Sequence, residues 1–467
     1  MSHAFDPTIL REYDIRGVIG ETLGPDDARA IGRSFGTLLR RAGGSTVAVG
    51  YDGRTSSPML EHALVEGLTG SGCDVVRIGM SATPMLYYAE ASTEEVDGGI
   101  QITGSHNPPD YNGFKMVFQG RPFFGEDIQA LGKIAATGDW VDGVGEVETR
   151  EIMDEYVERL LAGLDGIVAD RLSGLRVGWD AGNGAAGPAL EALAKRLPGE
   201  HVLLYTDVDG SFPNHHPDPT VEANLADLKA LVAEKNLDFG VAFDGDGDRI
   251  GAIDGEGRVI WGDQLLMIYA EDLLATRKGA TIIADVKASR ALFDHVAAHG
   301  GTPLMWKTGH SLIKSKMKEV SSPLAGEMSG HVFFADEYYG FDDALYAGVR
   351  LIAAAARLGR SVTELRSAMP GMINTPEMRF QVDESRKFAA IAEVEARLAD
   401  SPADVDGTDG VRVTTDDGWW LLRASNTQDV LVARAESDSE EGLARLMAQI
   451  DEQLALSGLE RGESVGH

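Results

Sequence analysis

Three aspartates at alternate positions form the most chemically specific motif of the chain. The segment Asp244-Gly-Asp-Gly-Asp248 directly follows the apolar run FGVAF, and only glycine separates its carboxylates. Carboxylates this close repel one another unless a cation lies between them, and hard oxygen ligands suit magnesium or calcium. An EF-hand loop is excluded. Its sixth position should be glycine but is Arg249 here, and its twelfth should be glutamate but is Gly255. A solvated turn remains the alternative, but the preceding buried strand favours a metal site.

A hydroxyl in the segment TGSHNP is a second candidate for chemistry. Gly104 lets the backbone approach a ligand, the Pro108-Pro109 pair stiffens the exit, and Ser105 lies between them. A serine presented at a strand end attacks or carries a group when a base or a metal lies near it. Neighbouring His106 is the obvious base, yet adjacent side chains seldom point at the same place. Taken alone, Ser105 is more often a simple loop residue.

Two further segments carry polar side chains at close spacing. In GEMSGH, Glu327, Ser329 and His331 are two residues apart, so an extended backbone would point all three to one side, towards neighbouring hydroxyls such as those of a sugar. In the last predicted hairpin, an arginine fork with nearby hydroxyl and amide groups could grip a phosphate, although a surface turn is equally consistent. These residues are Arg423, Ser425, Asn426 and Thr427. Further polar residues stand alone at predicted strand or loop ends, where a structural role is more common than a catalytic one. They are Arg16, Lys115, Lys287 and His310.

The elements around these motifs repeat three times along the chain. The copies open with TVAVGYDGRTSSPMLEHAL, LRVGWDAGNGAAGPALEAL and ATIIADVKASRALFDHV, and in each a β-branched strand ends in an aspartate before a helix begins. A second strand and a third strand follow, and the third is followed by TGSHNP, DGDGDR or GEMSGH. Alternating strands and helices predict parallel sheets with ligand-binding loops at their carboxyl ends. The three loops are therefore predicted to face one shared cleft.

The repeat predicts an α/β protein with three related domains and mainly parallel sheets. After the segment AMPGMINTPE the pattern changes to a helix, a strand, a hairpin and a final helix, which predicts a smaller C-terminal α+β domain. The domain ranges predicted in this way are 1–150, 151–255, 256–370 and 371–467.

Composition limits the classes of partner. The 42 basic and 74 acidic residues give a net charge of −32, which repels nucleic acid and anionic membranes at long range. The single Cys73 cannot form an internal disulfide, and the chain has neither a signal-peptide pattern nor a long apolar run. We therefore expect a cytoplasmic protein that binds neither nucleic acid nor membrane.

A glycine-rich turn raises a dinucleotide-binding alternative. Gly182-x-Gly-x-x-Gly187 follows a strand, and Asp207 lies twenty residues further on, which formally matches that fingerprint. Asp180, however, closes the strand and would face the pyrophosphate, and the other two copies carry an aspartate there without the glycines. An ordinary strand-to-helix turn explains the repeated feature better.

Taken together and in this order, TGSHNP, DGDGDR, GEMSGH and RASNT resemble the α-D-phosphohexomutase superfamily, specifically its bacterial phosphomannomutase/phosphoglucomutase branch. The resemblance runs from YDIRG near the start to the last hairpin. It implies four domains around a central cleft, a phosphoserine at Ser105, and one magnesium ion held by Asp244, Asp246 and Asp248 together with Ser105 through its phosphate. It also implies that Arg249 helps to neutralise the phosphoryl group that is transferred.

The resemblance assigns further roles by position. It places Glu327 and Ser329 on sugar hydroxyls, and Lys115 and His310 at positions proposed for proton transfer. It places the non-reacting phosphate on Arg423, Ser425, Asn426 and Thr427. Other active-site positions implied in the same way are Tyr13, Arg16, His106, Lys287 and His331.

The implied reaction is reversible phosphoryl transfer between C1 and C6 of mannose or glucose phosphate through a hexose 1,6-bisphosphate. A phosphoglucosamine mutase is the alternative activity. It is placed second, because that branch typically has glutamine where this chain has Met328. A sugar-phosphate sensor without turnover is a third, but a sensor needs no phosphoryl carrier such as Ser105. The expected partners are small hexose phosphates, and the expected state is a monomer or weak homo-oligomer.

Overall fold

A computed structural model of the protein describes residues 2–399, 401, 403–426 and 428–462. Its first unit contains a seven-stranded sheet covered by helices. The strands are β1 (Ile15–Val18), β2 (Thr46–Tyr51), β3 (Asp74–Met80), β4 (Gly98–Ile102), β5 (Tyr111–Phe118), β6 (Arg121–Pro122) and β7 (Val147–Thr149). The helices are α1 (Pro25–Arg41), α2 (Ser57–Gly70), α3 (Thr83–Ser92) and α4 (Glu126–Thr137).

The second unit has a five-stranded sheet and the third a four-stranded sheet. Elements of the second unit are α5 (Met153–Leu161), β8 (Arg176–Asp180), α6 (Gly187–Ala194), β9 (Glu200–Leu204), α7 (Ala226–Lys235), β10 (Phe239–Phe243), β11 (Ile250–Asp254) and β12 (Val259–Ile260). Elements of the third unit are α8 (Gly262–Thr276), β13 (Thr281–Asp285), α9 (Arg290–Ala298), β14 (Thr302–Trp306), α10 (His310–Val320), β15 (Leu324–Gly326), β16 (Val332–Phe334), α11 (Ala344–Leu358) and α12 (Val362–Ser367).

The three units share one sheet topology. The corresponding strand orders are β5-β4-β2-β3, β11-β10-β8-β9 and β16-β15-β13-β14. In each, the first three strands of the repeat are parallel and the fourth returns antiparallel to the third. The loops TGSHNP, DGDGDR and GEMSGH therefore occupy the same position, between the third and fourth strands of their sheets. The predicted α/β fold with three related domains is confirmed.

The C-terminal unit is an antiparallel sheet packed against two helices. Its strands are β17 (Ile373–Asn374), β18 (Met378–Gln381), β19 (Asp404–Asp406), β20 (Val411–Thr415), β21 (Gly418–Ala424) and β22 (Val430–Ser437), and its helices are α13 (Glu384–Leu398) and α14 (Glu440–Leu456). Strand order is β17-β22-β21-β20-β19, with β18 also on β22. The core of this unit, which includes Val411, Trp420 and Leu446, is separate from that of the other three.

Within the described residues, no helix combines the length and apolar character needed to cross a bilayer.

One hydrophobic core joins the first three units. It includes Tyr88 of the first, Trp179 of the second and Tyr346 of the third. Helix α11 passes so close to Trp179 that a Cβ at Gly348 would lie 2.8 Å from that ring. The shared core fixes the three units relative to one another, so their loops meet in a defined geometry.

Asp343 caps α11 and contacts a neighbouring unit. Its carboxylate accepts from the backbone N–H of Tyr346, and from the hydroxyls of Tyr156 at 2.9 Å and Tyr338 at 2.8 Å. Burial raises the pKa of Asp343 to about 6, although these donors act in the opposite direction. The folded state therefore favours the protonated carboxyl more than the unfolded chain does.

A pH-dependent loss of stability is expected from Asp343. Between its unfolded pKa of 3.8 and its folded pKa of about 6, unfolding releases the proton. Stability consequently falls as pH rises through this window, by up to about 3 kcal/mol for a shift of about two units. Urea unfolding from pH 4 to 7 measures this effect, and Asp343→Asn is expected to remove it while Asp26→Asn, at an exposed helix start, leaves it intact. Parallel pH profiles for wild type and Asp343→Asn would contradict the assignment.

Candidate active site

The equivalent loops of the three α/β units converge. The hydroxyl of Ser105 in the first unit lies 2.9 Å from Oδ2 of Asp244 in the second. An isolated antiparallel bridge joins Arg249 of the second unit to His331 of the third. Thr83 at the start of α3 adds a hydrogen bond between the first and second units, because its Oγ1 donates to Oδ2 of Asp246 at 2.5 Å. The shared cleft predicted from the repeat is therefore formed.

The DGDGDR loop is a tight turn that turns its carboxylates inwards. Oδ1 of Asp244 accepts from the backbone N–H groups of Gly247, Asp248 and Arg249 at 3.0, 3.1 and 3.1 Å. Gly247 has φ of 77°, a left-handed conformation that glycine adopts without strain. Asp244, Asp246 and Asp248 are each completely buried. Burial, together with the two neighbouring carboxylates, raises the pKa of Asp244 well above its usual range.

These three aspartates fit a metal ion. One ligand oxygen from each lies within 4.8 Å of the others. Oδ1 of Asp246 is buried and has no hydrogen-bond partner among the described residues. A buried carboxylate oxygen without a donor is costly, and a hard divalent cation would satisfy it. The structure thus contains a buried acidic cluster that can bind a metal.

Lys115 neutralises part of this negative charge. Its Nζ donates to Oδ2 of Asp246 at 2.7 Å and also contacts Asp248. Burial opposes protonation, but the carboxylates of Asp246 and Asp248 outweigh it and raise the pKa of Lys115 above its ordinary range. The same ammonium, with His331, holds the pKa of Asp248 well below the usual range despite burial. Lys115 is therefore a cation in this arrangement.

Ser105 is held in an unusual backbone conformation. Its φ is 50°, which is rare for a residue other than glycine, and its side chain is buried. The Thr103 hydroxyl accepts from the Ser105 N–H at 2.8 Å, and Nδ1 of His106 lies 3.1 Å from the Ser105 hydroxyl. A Cβ at Gly245 would lie 2.4 Å from the Ser105 carbonyl oxygen, so only glycine permits this approach of the two loops. Such local strain persists where the surroundings fix a functional group.

Arg54, to which no sequence motif pointed, holds the TGSHNP loop in place. Its buried guanidinium donates to four carbonyls of this segment, at 2.8 Å for Ser105, 2.7 Å for Asn107, 2.5 Å for Pro108 and 3.1 Å for Tyr111. Asp52, which ends the first strand of the repeat, pairs with Arg54 at 3.2 Å. The strand-end aspartate noticed in the sequence was the available signal, since a buried carboxylate at a loop needs a cation.

Loss of Arg54 is expected to lower turnover by misplacing Ser105. Arg54→Met leaves four carbonyls unpaired, and a displacement near 1 Å at a reacting group costs about 10²-fold in rate. We expect kcat to fall by about this factor, while the magnesium concentration for half-maximal activity changes little. Steady-state kinetics test this, with Arg77→Met as the control because Arg77 pairs with Glu61 on α2. Arg54→Lys keeps the charge but loses the fork, so full activity in that variant would contradict a positioning role.

The GEMSGH loop brings Glu327, Ser329 and His331 together, but not by the extended backbone that was predicted. A tight turn closes instead, with the Gly330 N–H donating to the Glu327 carbonyl at 3.0 Å. Nδ1 of His331 lies 3.1 Å from Oε2 of Glu327 and 3.1 Å from the Ser329 hydroxyl. The predicted extended geometry is therefore wrong, because Gly330 with φ of 93° turns the chain.

His331 links the sugar-side loop to the metal-side loop. Burial alone would lower its pKa, but Asp248, 3.4 Å from Nε2, and Glu327 raise the pKa of His331 to about 9. Burial likewise opposes ionisation of Glu327, yet His331 and Lys287 lower the pKa of Glu327 to about 2. At neutral pH the pair is a buried imidazolium and carboxylate.

His310 lies at the start of α10, stacked on His331 with ring centroids 5.5 Å apart. Burial and the nearby Lys314 ammonium lower the pKa of His310. Asp342, which was not singled out in the sequence, lies 3.3 Å from Nδ1 of His310 and accepts from Lys314 at 2.8 Å. His310 is therefore a neutral imidazole next to a charged pair.

The C-terminal unit closes the other side of the cleft. The Asn426 side-chain amide donates to the Tyr13 hydroxyl at 2.7 Å, and that hydroxyl donates to the Thr308 carbonyl at 2.9 Å. Arg423 pairs with Asp409 at 3.0 Å. Three units thus meet around Tyr13, whose pKa burial raises to about 12.

The remaining candidates form hydrogen bonds with neighbouring polar groups. Arg16 contacts Asn107 and Asp14, and Lys287 donates to Glu377 at 2.9 Å. Ser425 accepts from the backbone N–H of Gln428 at 3.2 Å. Thr427 lies outside the described residues.

The glycines of the dinucleotide-like fingerprint have packing roles. A Cβ at Gly187 would lie 2.0 Å from the Thr206 carbonyl oxygen, and one at Gly184 would lie 2.8 Å from that of Gly245. Asp180 accepts from the Gly182 N–H at 2.8 Å and contacts His215 at 2.9 Å. The turn is therefore filled by protein, which agrees with the interpretation as an ordinary strand-to-helix turn.

Comparison with known proteins agrees with this geometry. Four family models described as phosphoglucomutase/phosphomannomutase match, namely α/β/α domain I at residues 7–142, domain II at 154–257, domain III at 261–372 and the C-terminal domain at 377–453. The phosphomannomutase/phosphoglucomutase of Pseudomonas aeruginosa is 46% identical over 458 residues, covering 97% of this chain and 98% of that protein. The phosphoglucomutase of Neisseria gonorrhoeae is 42% identical over 442 residues, covering 94% and 95%.

A solved structure shows the same architecture. The crystal structure of a phosphoglucomutase/phosphomannomutase family protein from Burkholderia thailandensis is 44% identical, with a TM-score of 0.91, and covers 99% of this chain and 100% of that one. Fold and site together define an enzyme of the α-D-phosphohexomutase superfamily. Within it, the chain belongs to the phosphoglucomutase/phosphomannomutase family.

Proposed function

We propose that the protein reversibly transfers a phosphoryl group between C1 and C6 of mannose or glucose phosphate. The observation that carries this proposal is the placement of the Ser105 hydroxyl 2.9 Å from Asp244, within a buried cluster of carboxylates that fits a metal. A hydroxyl fixed next to such a cluster is suited to carry a phosphoryl group. Relatives at 42–46% identity bear the names of these mutases, which supports the same conclusion.

The proposed cycle uses Ser105 as the carrier. In the first half, the bond from phosphorus to Ser105 Oγ breaks as a bond forms to a free sugar hydroxyl, which gives a hexose 1,6-bisphosphate. The bisphosphate then turns around in the cleft. In the second half, Ser105 Oγ accepts the other phosphoryl group, so the enzyme returns to its starting state with the phosphate moved on the sugar.

Proton transfer accompanies both halves, because the attacking hydroxyl loses a proton and the departing oxygen gains one. We assign these steps to Lys115 and His310. Their surroundings shift the two pKa values apart, since the pKa of Lys115 is raised and that of His310 is lowered. The lowered pKa leaves His310 as a neutral imidazole, the form that accepts a proton, whereas the raised pKa keeps Lys115 in the protonated form that can donate but makes it a weak acid.

Magnesium held by Asp244, Asp246 and Asp248 would neutralise charge on the transferring phosphoryl oxygens. Arg249 is proposed to share this role. We further propose that free hexose 1,6-bisphosphate activates the enzyme by phosphorylating Ser105.

The remaining site residues are proposed to hold the sugar and its second phosphate. Glu327 and Ser329 would bind hydroxyls, while Arg423, Ser425, Asn426 and Thr427 would bind the non-reacting phosphate. The other residues proposed to line the bound substrate are Tyr13, Arg16, His106, Lys287 and His331. The link from Asn426 to Tyr13 must open when the intermediate turns, so we expect the C-terminal domain to move.

An intact-mass experiment tests the proposal. After incubation with glucose 1,6-bisphosphate, wild type is expected to gain the mass of one phosphoryl group, and Ser105→Ala to gain none. Addition of glucose 6-phosphate should discharge the adduct, because the carrier step is reversible. Absence of an adduct on wild type, or an equal adduct on Ser105→Ala, would overturn the mechanism.

Parallel assays of mannose, glucose and glucosamine phosphates with one preparation test the substrate. Met328 contacts the guanidinium of Arg434 where glutamine is typical of the glucosamine branch, so we expect glucosamine phosphate to be the poorest of the three. The domain limits 1–150, 151–255, 256–370 and 371–467 stay predictions. The cytoplasmic location and the monomeric or weakly associating state are likewise predictions.

A further inference from the structure

Two histidines and a glutamate form a cluster in the third unit, on elements that the catalytic loops do not use. Glu271 belongs to α8, His295 to α9, and His299 caps the end of α9. Nε2 of His295 lies 3.6 Å from Oε2 of Glu271, and Nε2 of His299 lies 3.9 Å from Oε1. The two imidazole centroids are 4.1 Å apart. All three side chains thus direct their polar atoms at one point between the helices.

Hydrogen bonds fix the orientation of both imidazoles. Nδ1 of His299 lies 2.8 Å from the carbonyl oxygen of His295. A ring nitrogen of His295 interacts with the carbonyl of Met267, one turn before Glu271 on α8. This nitrogen is Nδ1, because Nε2 of His295 is buried and has no hydrogen-bond partner among the described residues. The Nδ1 atoms are thus held by backbone carbonyls, and the Nε2 atoms are left to face Glu271.

The polar atoms of the cluster face one another without hydrogen bonds between them. Nε2 of His295 and Nε2 of His299 lie 3.6 and 3.9 Å from the oxygens of the Glu271 carboxylate, which is too long for a hydrogen bond. A cation between the three side chains would make a favourable contact with each of them. Backbone carbonyls that hold Nδ1–H while Nε2 faces inwards are the usual supports of metal-binding histidines.

Arg360 completes the surroundings of Glu271. Its guanidinium contacts Oε1, which leaves Oε2 as the oxygen nearer His295. The Arg360 charge opposes a bound cation, but its hydrogen bond also fixes the orientation of the carboxylate. The site therefore offers one carboxylate oxygen and two imidazole nitrogens.

We propose that Glu271, His295 and His299 bind a divalent transition metal, with zinc as the preferred ion. Two imidazoles and one carboxylate are a ligand set that suits zinc, and the fourth position would be left for water. Ligand atoms of a tetrahedral zinc site lie ~3.3 Å apart for bonds of about 2.0–2.1 Å. The 3.6 Å separation between Nε2 of His295 and Oε2 of Glu271 is close to that value, and one ligand atom from each of the three residues lies within 4.8 Å of the others, so small side-chain rotations would complete the site. The ion would join α8 to the far end of α9, the helix that follows the Lys287 loop.

Zinc binding to the metal-stripped full chain tests the proposal. Zinc also suits the three catalytic aspartates, so equilibrium dialysis of wild type is expected to show two bound ions. His299→Ala should lose one of them, with that affinity weakened by more than about 100-fold, since removing a ligand costs more than removing an outer partner. Asp246→Asn should weaken only the other ion. Because His299 is partly exposed, we expect His299→Ala to fold normally by circular dichroism.

His62→Ala is the matched control, because His62 pairs with Glu66 on an exposed helix face and, among the residues that the structure describes, has no imidazole as a second partner. It should bind as many zinc ions as wild type. A second measurement uses wild type alone: zinc should protect His295 and His299, but not His62, from diethyl pyrocarbonate, as read by peptide mass spectrometry. Equal zinc binding by His299→Ala and wild type, or unprotected His295 and His299, would overturn the proposal.

Discussion

Ser105→Ala is expected to abolish mutase activity. The substitution removes the only atom proposed to carry the phosphoryl group, so the cycle loses both its donor and its acceptor. Loss of a nucleophile of this kind lowers turnover by at least about 10⁴-fold. Glucose 1-phosphate and mannose 1-phosphate assays, each with glucose 1,6-bisphosphate present, measure the effect.

The same variant separates a catalytic role from a structural one. The Ser105 hydroxyl contacts Asp244 and His106, whereas its conformation depends on backbone contacts from Thr103 and Arg54 that alanine keeps. We therefore expect an unchanged melting temperature. Ser173→Ala, at an exposed position, should retain full activity. Turnover within tenfold of wild type by purified Ser105→Ala would refute the carrier role.

Asp246→Asn is expected to have the second largest effect, through the metal. It keeps the size of the side chain but removes one of three buried carboxylates, including the charge on an oxygen that has no donor among the described residues. Because a metal contributes several kcal/mol to stabilising transition-state charge, activity should fall by about 10²–10³-fold. The magnesium concentration for half-maximal activity should rise in parallel.

Stability distinguishes this loss from misfolding. Asp244, Asp246 and Asp248 repel one another without a metal, and Lys115 compensates only part of their charge. Removal of one charge should therefore leave the melting temperature of the metal-free protein unchanged or raise it. Glu256→Gln, in the exposed turn at the opposite end of strand β11, is the control and should behave as wild type. A normal magnesium response in Asp246→Asn would show that this aspartate is not a ligand.

Local sequence was sufficient to predict the repeated α/β units and the positions of their loops. Strand and helix patterns depend on residues that are close along the chain. Turn residues such as Gly247 indicate a backbone conformation that only glycine adopts without strain. The spacing of Asp244, Asp246 and Asp248 likewise indicates its chemistry directly, because carboxylates so close repel one another unless a cation lies between them. The apolar strand FGVAF that precedes them favoured a buried metal site over a solvated turn.

Contacts between distant segments were decided only by the tertiary structure. Arg54, Thr83 and Asp342 gave little signal, since each acts on a loop far away in sequence. The direction of the Lys115 pKa shift also depended on the fold, because Asp246 and Asp248 approach it from another domain. Sequence alone thus determined which chemical groups each loop presents. The shared core of the first three units determined that Ser105 and Asp244 meet at 2.9 Å, since only packing fixes distances between domains.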